Sequence, residues 1–314
     1  MTSSPVAVTL AELVQLAPKA DQLTLWQSRC VRAEGGNNNT VFKGRGMEFA
    51  ETRPYQPGDD VRLIDWRVTA RTGRAHTKLF REERERPVVT WVDCRPQMFF
   101  ATRGVFKSVL AARMAALVAW SAHGHGDRFG GRICGDDQEW VQVPAGGRHG
   151  VLRYLRALEL ACANWRVGKR PSSAAIDVRQ SLASLRRTVR PGTVLFLISD
   201  YRDLQEPVGD LLADAGRHCD ITLCFVHDPL EATLPPPGDY PIADRGTRQA
   251  MLFARDNQLR RHYHQRFIER RKALQDLAWQ HRARLITSAT TDDALRVLRN
   301  ACGQRARHHQ RRAV

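Results

Sequence analysis

Two aspartates stand at the ends of short apolar runs. Asp93 closes VVTWV at 88–92, and Asp200 follows TVLFLIS at 193–199. A carboxylate just beyond the carboxyl end of a buried strand lies where α/β sheets bind their ligands. Two residues after Asp93 comes Arg95, a permanent cation able to pair with either carboxylate. A second charge-rich stretch holds GRGMEF at 44–49, RPYQPGDDVRLIDW at 53–66, Ala70-Arg71 and FREE at 80–83. Pro57-Gly58 sets a tight turn there, since Pro fixes φ and Gly tolerates positive φ. Arg53, Asp59, Asp60, Arg62, Asp65, Arg67 and Arg71 are expected to form a charge network with several bidentate pairs. Tyr55 and Trp66 add flat apolar walls, each with one polar handle. Such a stretch reads either as a buried network that fixes how the N-terminal region docks or as a partner-binding surface. Its candidate binding residues are Arg53, Tyr55, Asp59, Asp60, Arg62, Asp65 and Trp66, joined by Arg95.

Catalytic constellations are missing. There is no glycine-rich phosphate loop, no HExxH and no GxSxG. His123, His125, His149, Ser121 and Ser199 are scattered rather than spaced as a triad. The seven cysteines, Cys30, Cys94, Cys134, Cys162, Cys219, Cys224 and Cys302, contain no CxxC. They read as reduced thiols rather than a disulfide frame or a zinc site. The chain is therefore expected to be no enzyme and to carry no cofactor.

The elements that must position these residues begin with a helix near Thr9–Leu16. The EGGNNN run at 34–39 reads as a loop. Short strands are expected around Val61–Ile64 and His76–Phe80. From Pro87 onward, strands alternate with helices. Val88–Val92 is a strand, and Gly104–His123 repeats apolar residues on one helix face. Asp127–Cys134 and Gln138–Val143 read as a hairpin across a Gly-Asp-Asp turn. Helices follow at His149–Leu160, Asp177–Val189 and Pro207–Arg217, with unbroken apolar strands at Thr193–Ser199 and Ile221–Val226. Pro235–Gly238 breaks the chain into an exposed excursion. A long basic helix over Asn257–Arg284, a strand at Arg284–Thr287 and a helix at Asp292–Asn300 complete the pattern. The alternation predicts an α/β fold, with a doubly wound, mostly parallel sheet, one antiparallel edge strand and helices on both faces. A smaller β-containing N-terminal region, 1–86, precedes the domain at 87–303, and a basic tail covers 304–314.

Net charge is +16, and residues 255–314 alone carry fifteen basic against five acidic residues. That asymmetry suggests an acidic partner or a solvated helix face. Nucleic acid or an anionic surface is the alternative partner, through Arg260, Arg261, Arg266, Arg270, Arg271 and Lys272 of the long helix. No nucleic-acid motif accompanies it. Neither a targeting segment nor a membrane span stands out. The expected place is the cytoplasm, with peripheral membrane contact left open.

The pieces Arg-x-Tyr, Pro-Gly-Asp-Asp, Arg and Ile-Asp-Trp, in register over 53–66, resemble the signature of the bacterial domain of unknown function 58 family. The resemblance extends from about Gly44 to Ser288 by order of elements. It implies a von Willebrand factor A-like fold, with a MoxR-like AAA ATPase and other von Willebrand factor A-like proteins as partners. It also implies where a metal ion would sit. The ligands in such domains are an Asp-x-Ser-x-Ser, a Thr opening a later helix, and an Asp after the fourth strand. Small hydroxyls and carboxylates of this kind suit a hard cation. Here those positions hold Asp93, Arg95, Gln97, Ile176 and Asp200. Only the two aspartates keep ligand chemistry, so the expectation is a degenerate site in which Arg95 pairs with Asp93 or Asp200 and no metal binds.

Overall fold

The computed structural model describes residues 4–25, 31–32, 47–82, 85–163, 176–243 and 249–301. Residues 1–26 and 86–314 form one unit, and residues 27–85 form another. The chain opens with α1 (Leu10–Val14) and α2 (Ala17–Ala20), which belong to the larger unit. The smaller unit holds β1 (Val31–Arg32), β2 (Met47–Pro54), α3 (Trp66–Thr72) and β3 (His76–Glu82). Its strands pair antiparallel in the order β1-β3-β2.

The larger unit continues with β4 (Pro87–Asp93), α4 (Lys107–Gly124), β5 (Arg128–Cys134), β6 (Glu139–Ala145), α5 (Arg148–Ala163) and α6 (Val178–Thr188). Then come β7 (Val194–Ser199), α7 (Gln205–Ala215), β8 (Asp220–His227), α8 (Pro229–Ala232), β9 (Asp239–Ala243), β10 (Gln249–Phe253), α9 (Asn257–Gln280) and β11 (Arg284–Ala289). A last helix covers residues 294–301. The main sheet has the order β11-β8-β7-β4-β5-β6. Every pairing is parallel except β5 with β6, so β6 is the antiparallel edge strand. This is the doubly wound α/β architecture that the alternation predicts. The strands β4 and β7 are unbroken apolar runs because helices cover both faces. One core cluster gathers α4, α5 and the N-terminal residues, and the other gathers α6, α7 and α9.

The helix α4 explains why the first residues belong here rather than to an N-terminal region of 1–86. Val109, Leu110, Met114, Leu117, Val118 and also Ala111, Ala115 and Ala119 are fully buried. A helix apolar on every side needs cover beyond the sheet. Residues 8–25 supply it with Val8, Leu13, Ala20, Leu23 and Leu25. Polar ties fix the layer. Trp120 Nε1 donates to Leu13 O at 3.0 Å, Ser121 Oγ to Leu23 O at 3.1 Å, and Arg113 Nε to Glu12 Oε1 at 2.7 Å.

Three further expectations are corrected. Val61–Leu63 is a single 3₁₀ turn, not a strand. Asp60 accepts from Arg62 N and Asp65 from Arg67 N and Val68 N, so side-chain caps curl the backbone despite its β-branched residues. The excursion after Pro235 continues into an antiparallel ribbon, β9 with β10. Pro241 inside β9 hid it from the strand pattern. The long helix stops at Gln280 instead of reaching Arg284. Arg282 takes φ 57° and turns the chain so that Arg284 opens β11 beside β8. The loop expected at 34–39 and the tail at 304–314 lie outside the described residues.

Candidate functional site at the carboxyl edge of the sheet

The chain leaves β4 toward β5 on one side and β7 toward β8 on the other, so the crevice between their carboxyl ends is the switch point of the sheet. Asp93 is the last residue of β4, and Asp200 follows the last residue of β7. Both are fully buried. Arg95 turns back onto Asp93: Nε donates to Oδ1 at 3.0 Å and Nη2 to Oδ2 at 2.8 Å. The Arg95 backbone N–H adds a bond to Oδ1 at 3.0 Å, and Ser199 Oγ donates to Oδ2 at 2.7 Å. With its amide oxygen facing the guanidinium, Gln97 accepts from Nε at 3.0 Å and Nη2 at 2.8 Å. Burial opposes the charge on Arg95, but the Asp93 bonds and charge, with Cys134 and Asp200 beyond, hold its pKa above the ordinary value.

Asp200 has a different cation. Lys107, the first residue of α4, is buried and donates from Nζ to Asp200 Oδ2 at 2.7 Å and to Glu231 Oε1 at 2.8 Å. Arg202 closes the group, its backbone N–H reaching Asp200 Oδ1 at 3.1 Å and its Nη2 reaching Glu231 Oε1 at 3.0 Å. Burial pushes the Asp200 carboxyl up, yet the Lys107 ammonium and then Arg202 overcome it and hold the pKa below the carboxylate range. The turn that presents these groups is bent at Tyr201 and Asp203, non-glycine residues at φ 52° and 59°. Tyr201 OH anchors it on Leu197 O at 2.5 Å. One strand further, Asp228 is satisfied by neutral donors: Thr102 N and Oγ1 at 2.8 and 2.6 Å, Leu230 N at 2.8 Å and Thr290 Oγ1 at 2.9 Å.

Ile176 brings no oxygen to this edge. Its side chain packs against the second core cluster, its N–H donates to Asp136 O at 3.0 Å, and the next residue, Asp177, caps α6. Among the described residues no group of three or more His, Cys, Asp or Glu is arranged to hold a metal ion. The scattered catalytic candidates stay apart. Ser121 bonds Leu23 O, His125 bonds Ser121 O, and Ser199 serves Asp93. Burial pushes the Cys134 and Cys224 thiols up to about 12, so neither is a ready nucleophile.

Sequence reasoning missed Lys107 and Glu231. The available signal was a lone lysine in the first turn of an apolar helix. Of the six basic residues set against phosphate, two are committed internally. Arg260 donates to the carbonyls of Pro235, Leu234 and Ala254, and the Arg270 guanidinium lies 5.4 Å from the Phe225 ring. Arg261, Arg266, Arg271 and Lys272 are exposed, with Glu269 and Asp276 among them.

In the smaller unit the expected charge network reduces to one arginine–aspartate pair among the described residues. Arg53 Nη2 donates to Asp59 Oδ1 at 2.6 Å without a second parallel bond. The Gln56 N–H first, then Arg53 and Thr77, hold the Asp59 carboxyl below its usual range against burial. Asp60 and Asp65 cap the 3₁₀ turn and α3, and Lys78 lies 3.8 Å from Asp65. Tyr55, just past β2, donates its N–H to the O of Ala75, just before β3, at 2.8 Å. Trp66 is no buried wall, being 69% exposed. Arg62, Arg67 and Arg71 make no side-chain hydrogen bond or ion pair with a described residue, and the nearby Asp60 and Asp65 cap backbone N–H groups.

Residues 51–273 match the family described as "Protein of unknown function DUF58". An uncharacterized protein of Mycobacterium bovis is 32% identical over 231 residues, which cover 72% of this chain and 69% of the relative. An uncharacterized protein of Mycobacterium tuberculosis matches with the same identity and coverage.

Proposed function

The chain belongs to the DUF58 family of proteins of unknown function, and from that premise we propose that it is a non-catalytic protein-interaction subunit. In this reading it works in the cytoplasm beside a MoxR-like AAA ATPase, in the assembly or maturation of other proteins, von Willebrand factor A-like proteins among them. The ATPase supplies the nucleotide chemistry.

One observation carries the reading: the two carboxylates at the switch point are already neutralised by cations of the chain itself, Arg95 on Asp93 and Lys107 on Asp200. The residues do not fit a divalent ion. Both Asp93 oxygens are taken, and the positions of the second, third and fourth ligands hold a guanidinium, an amide engaged with it and an aliphatic side chain. The edge is thus a degenerate metal-ion-dependent adhesion site. An ion-bearing edge completes its shell with a partner's carboxylate, and this one offers the 15% exposed Arg95 to the same group through a salt bridge.

Capture of a purified MoxR-like ATPase by the immobilised chain tests this. Arg95→Ala is expected to weaken capture about thirtyfold or more, as truncation of a desolvated interfacial charge does. Failure to capture the ATPase, or equal capture by wild type and variant, would remove the support for docking at this edge.

A further inference from the structure

The 53–78 stretch of the smaller unit uses its acids in pairs and caps and leaves four of its five arginines with no hydrogen-bond or ion-pair partner among the described residues. Asp59 is held by Arg53, Gln56 N and Thr77; Asp60 caps the 3₁₀ turn; Asp65 caps α3 and faces Lys78. Arg62, Arg67, Arg71 and Arg74 are exposed, and no described residue hydrogen-bonds or ion-pairs with their guanidinium groups. Interleaved with them are three exposed apolar side chains: Val61 at 59%, Leu63 at 38% and Trp66 at 69%. Neither the 3₁₀ turn nor α3 buries a single residue. Both are nevertheless fixed in shape. Aspartate caps open them, and Gly73 at φ 70° ends α3 in the left-handed region that glycine adopts without strain.

We infer that this surface docks an acidic polypeptide segment whose carboxylates flank apolar side chains. The inference rests on the reading of the chain as an interaction subunit and names the partner chemistry of its second surface. Charge decides the sign of the partner: residues 53–78 hold five arginines and Lys78 against three aspartates, and four of those guanidinium groups, within thirteen residues, have no hydrogen-bond or ion-pair partner among the described residues. The apolar residues decide its class. Val61 and Leu63 offer no flat face to a base, and one tryptophan makes no stacking track of the kind that single-stranded nucleic acid requires. Tryptophan and arginine on a rigid, pre-shaped surface are instead the side chains that dominate protein–protein recognition.

The test uses the full chain and two labelled probe peptides of equal charge, one alternating Glu and Leu and one of Glu alone, with single-stranded oligodeoxythymidine as a third probe. Fluorescence anisotropy is expected to report saturable binding of the Glu–Leu peptide, tighter than the Glu peptide. Arg67→Glu combined with Arg71→Glu should weaken it about tenfold or more. Trp66→Ala should erase the preference for Glu–Leu over Glu, and unchanged melting curves would show that both variants fold. Equal affinity for the two peptides, absence of Glu–Leu binding, tighter binding of oligodeoxythymidine, or indifference to the charge reversal would each overturn the inference. Arg95→Ala separates the two surfaces. ATPase capture without peptide binding defeats this inference alone, whereas peptide binding without capture of the ATPase defeats the sheet-edge reading alone.

Discussion

At the scale of single residues, the question is which cation neutralises which carboxylate. With Asp93 saturated by Arg95 and Ser199, calorimetric titration with magnesium or manganese is expected to give no saturable heat. Micromolar binding that disappears in Asp93→Ala would contradict that. Lys107 makes the sharper prediction. Replacing it by Met leaves Asp200 and Glu231 buried beside each other without their ammonium, a change that costs about 3–5 kcal/mol when a buried pair is broken. The pH dependence should then change sign. In the wild type the depressed pKa of Asp200 gives stability that is present above the unfolded carboxylate value and lost only as pH falls through the folded one. In Lys107→Met, burial acts with its main opponent gone and raises the carboxyl pKa. That variant gains stability as pH falls, so its melting temperature should approach the wild-type value as pH is lowered from neutral toward the ordinary carboxylate pKa. A constant gap over that window would refute the assignment. Asp93, Asp200 and the pairing of Arg95 with a carboxylate were legible from apolar runs and short spacing. The Lys107 contacts were not, because they join residues 93 and 124 positions apart.

At the scale of elements, strands β4, β7, β8 and β11 and the hairpin β5–β6 were legible, since each is an apolar run or an alternation bounded by turn residues. What sequence pattern hid were places where side chains or backbone override propensity: the capped turn at Val61–Leu63, the ribbon β9–β10 and the early stop of α9. Gly104 is another such place. It takes φ 76° ahead of α4, and a Cβ there would stand 2.2 Å from Thr290 O. Gly104→Ala must therefore move the backbone that brings Lys107 to the carboxyl edge. The expected loss is roughly 2 kcal/mol or more in denaturant unfolding. An unchanged unfolding midpoint would mean that this approach is looser than its geometry implies.

At the scale of the molecule, one core cluster draws its residues from 8–25 and from 88 onward, and the other from 89 onward alone. The larger unit should therefore not need residues 27–85 to fold. Replacing them with a flexible Gly/Ser linker is expected to leave one cooperative melt and a far-ultraviolet spectrum rich in helix and strand. Loss of cooperativity would show that the larger unit leans on the segment removed. The sequence divided the chain at residue 86, where charge-dense residues give way to alternating strands and helices. That the first helices return to the later unit was missed because α4 was read as apolar on one face, whereas it is buried on every side.

That interrupted order has a consequence for biosynthesis. The segment from Val8 to Leu25 leaves the ribosome long before α4, the surface it must cover, exists. At typical translation rates the intervening eighty-odd residues take on the order of 5–15 s to make. Throughout that interval Leu13 and Leu23 are nascent apolar side chains with no native cavity to enter, and residues 27–85 are synthesised before the larger unit can complete its core.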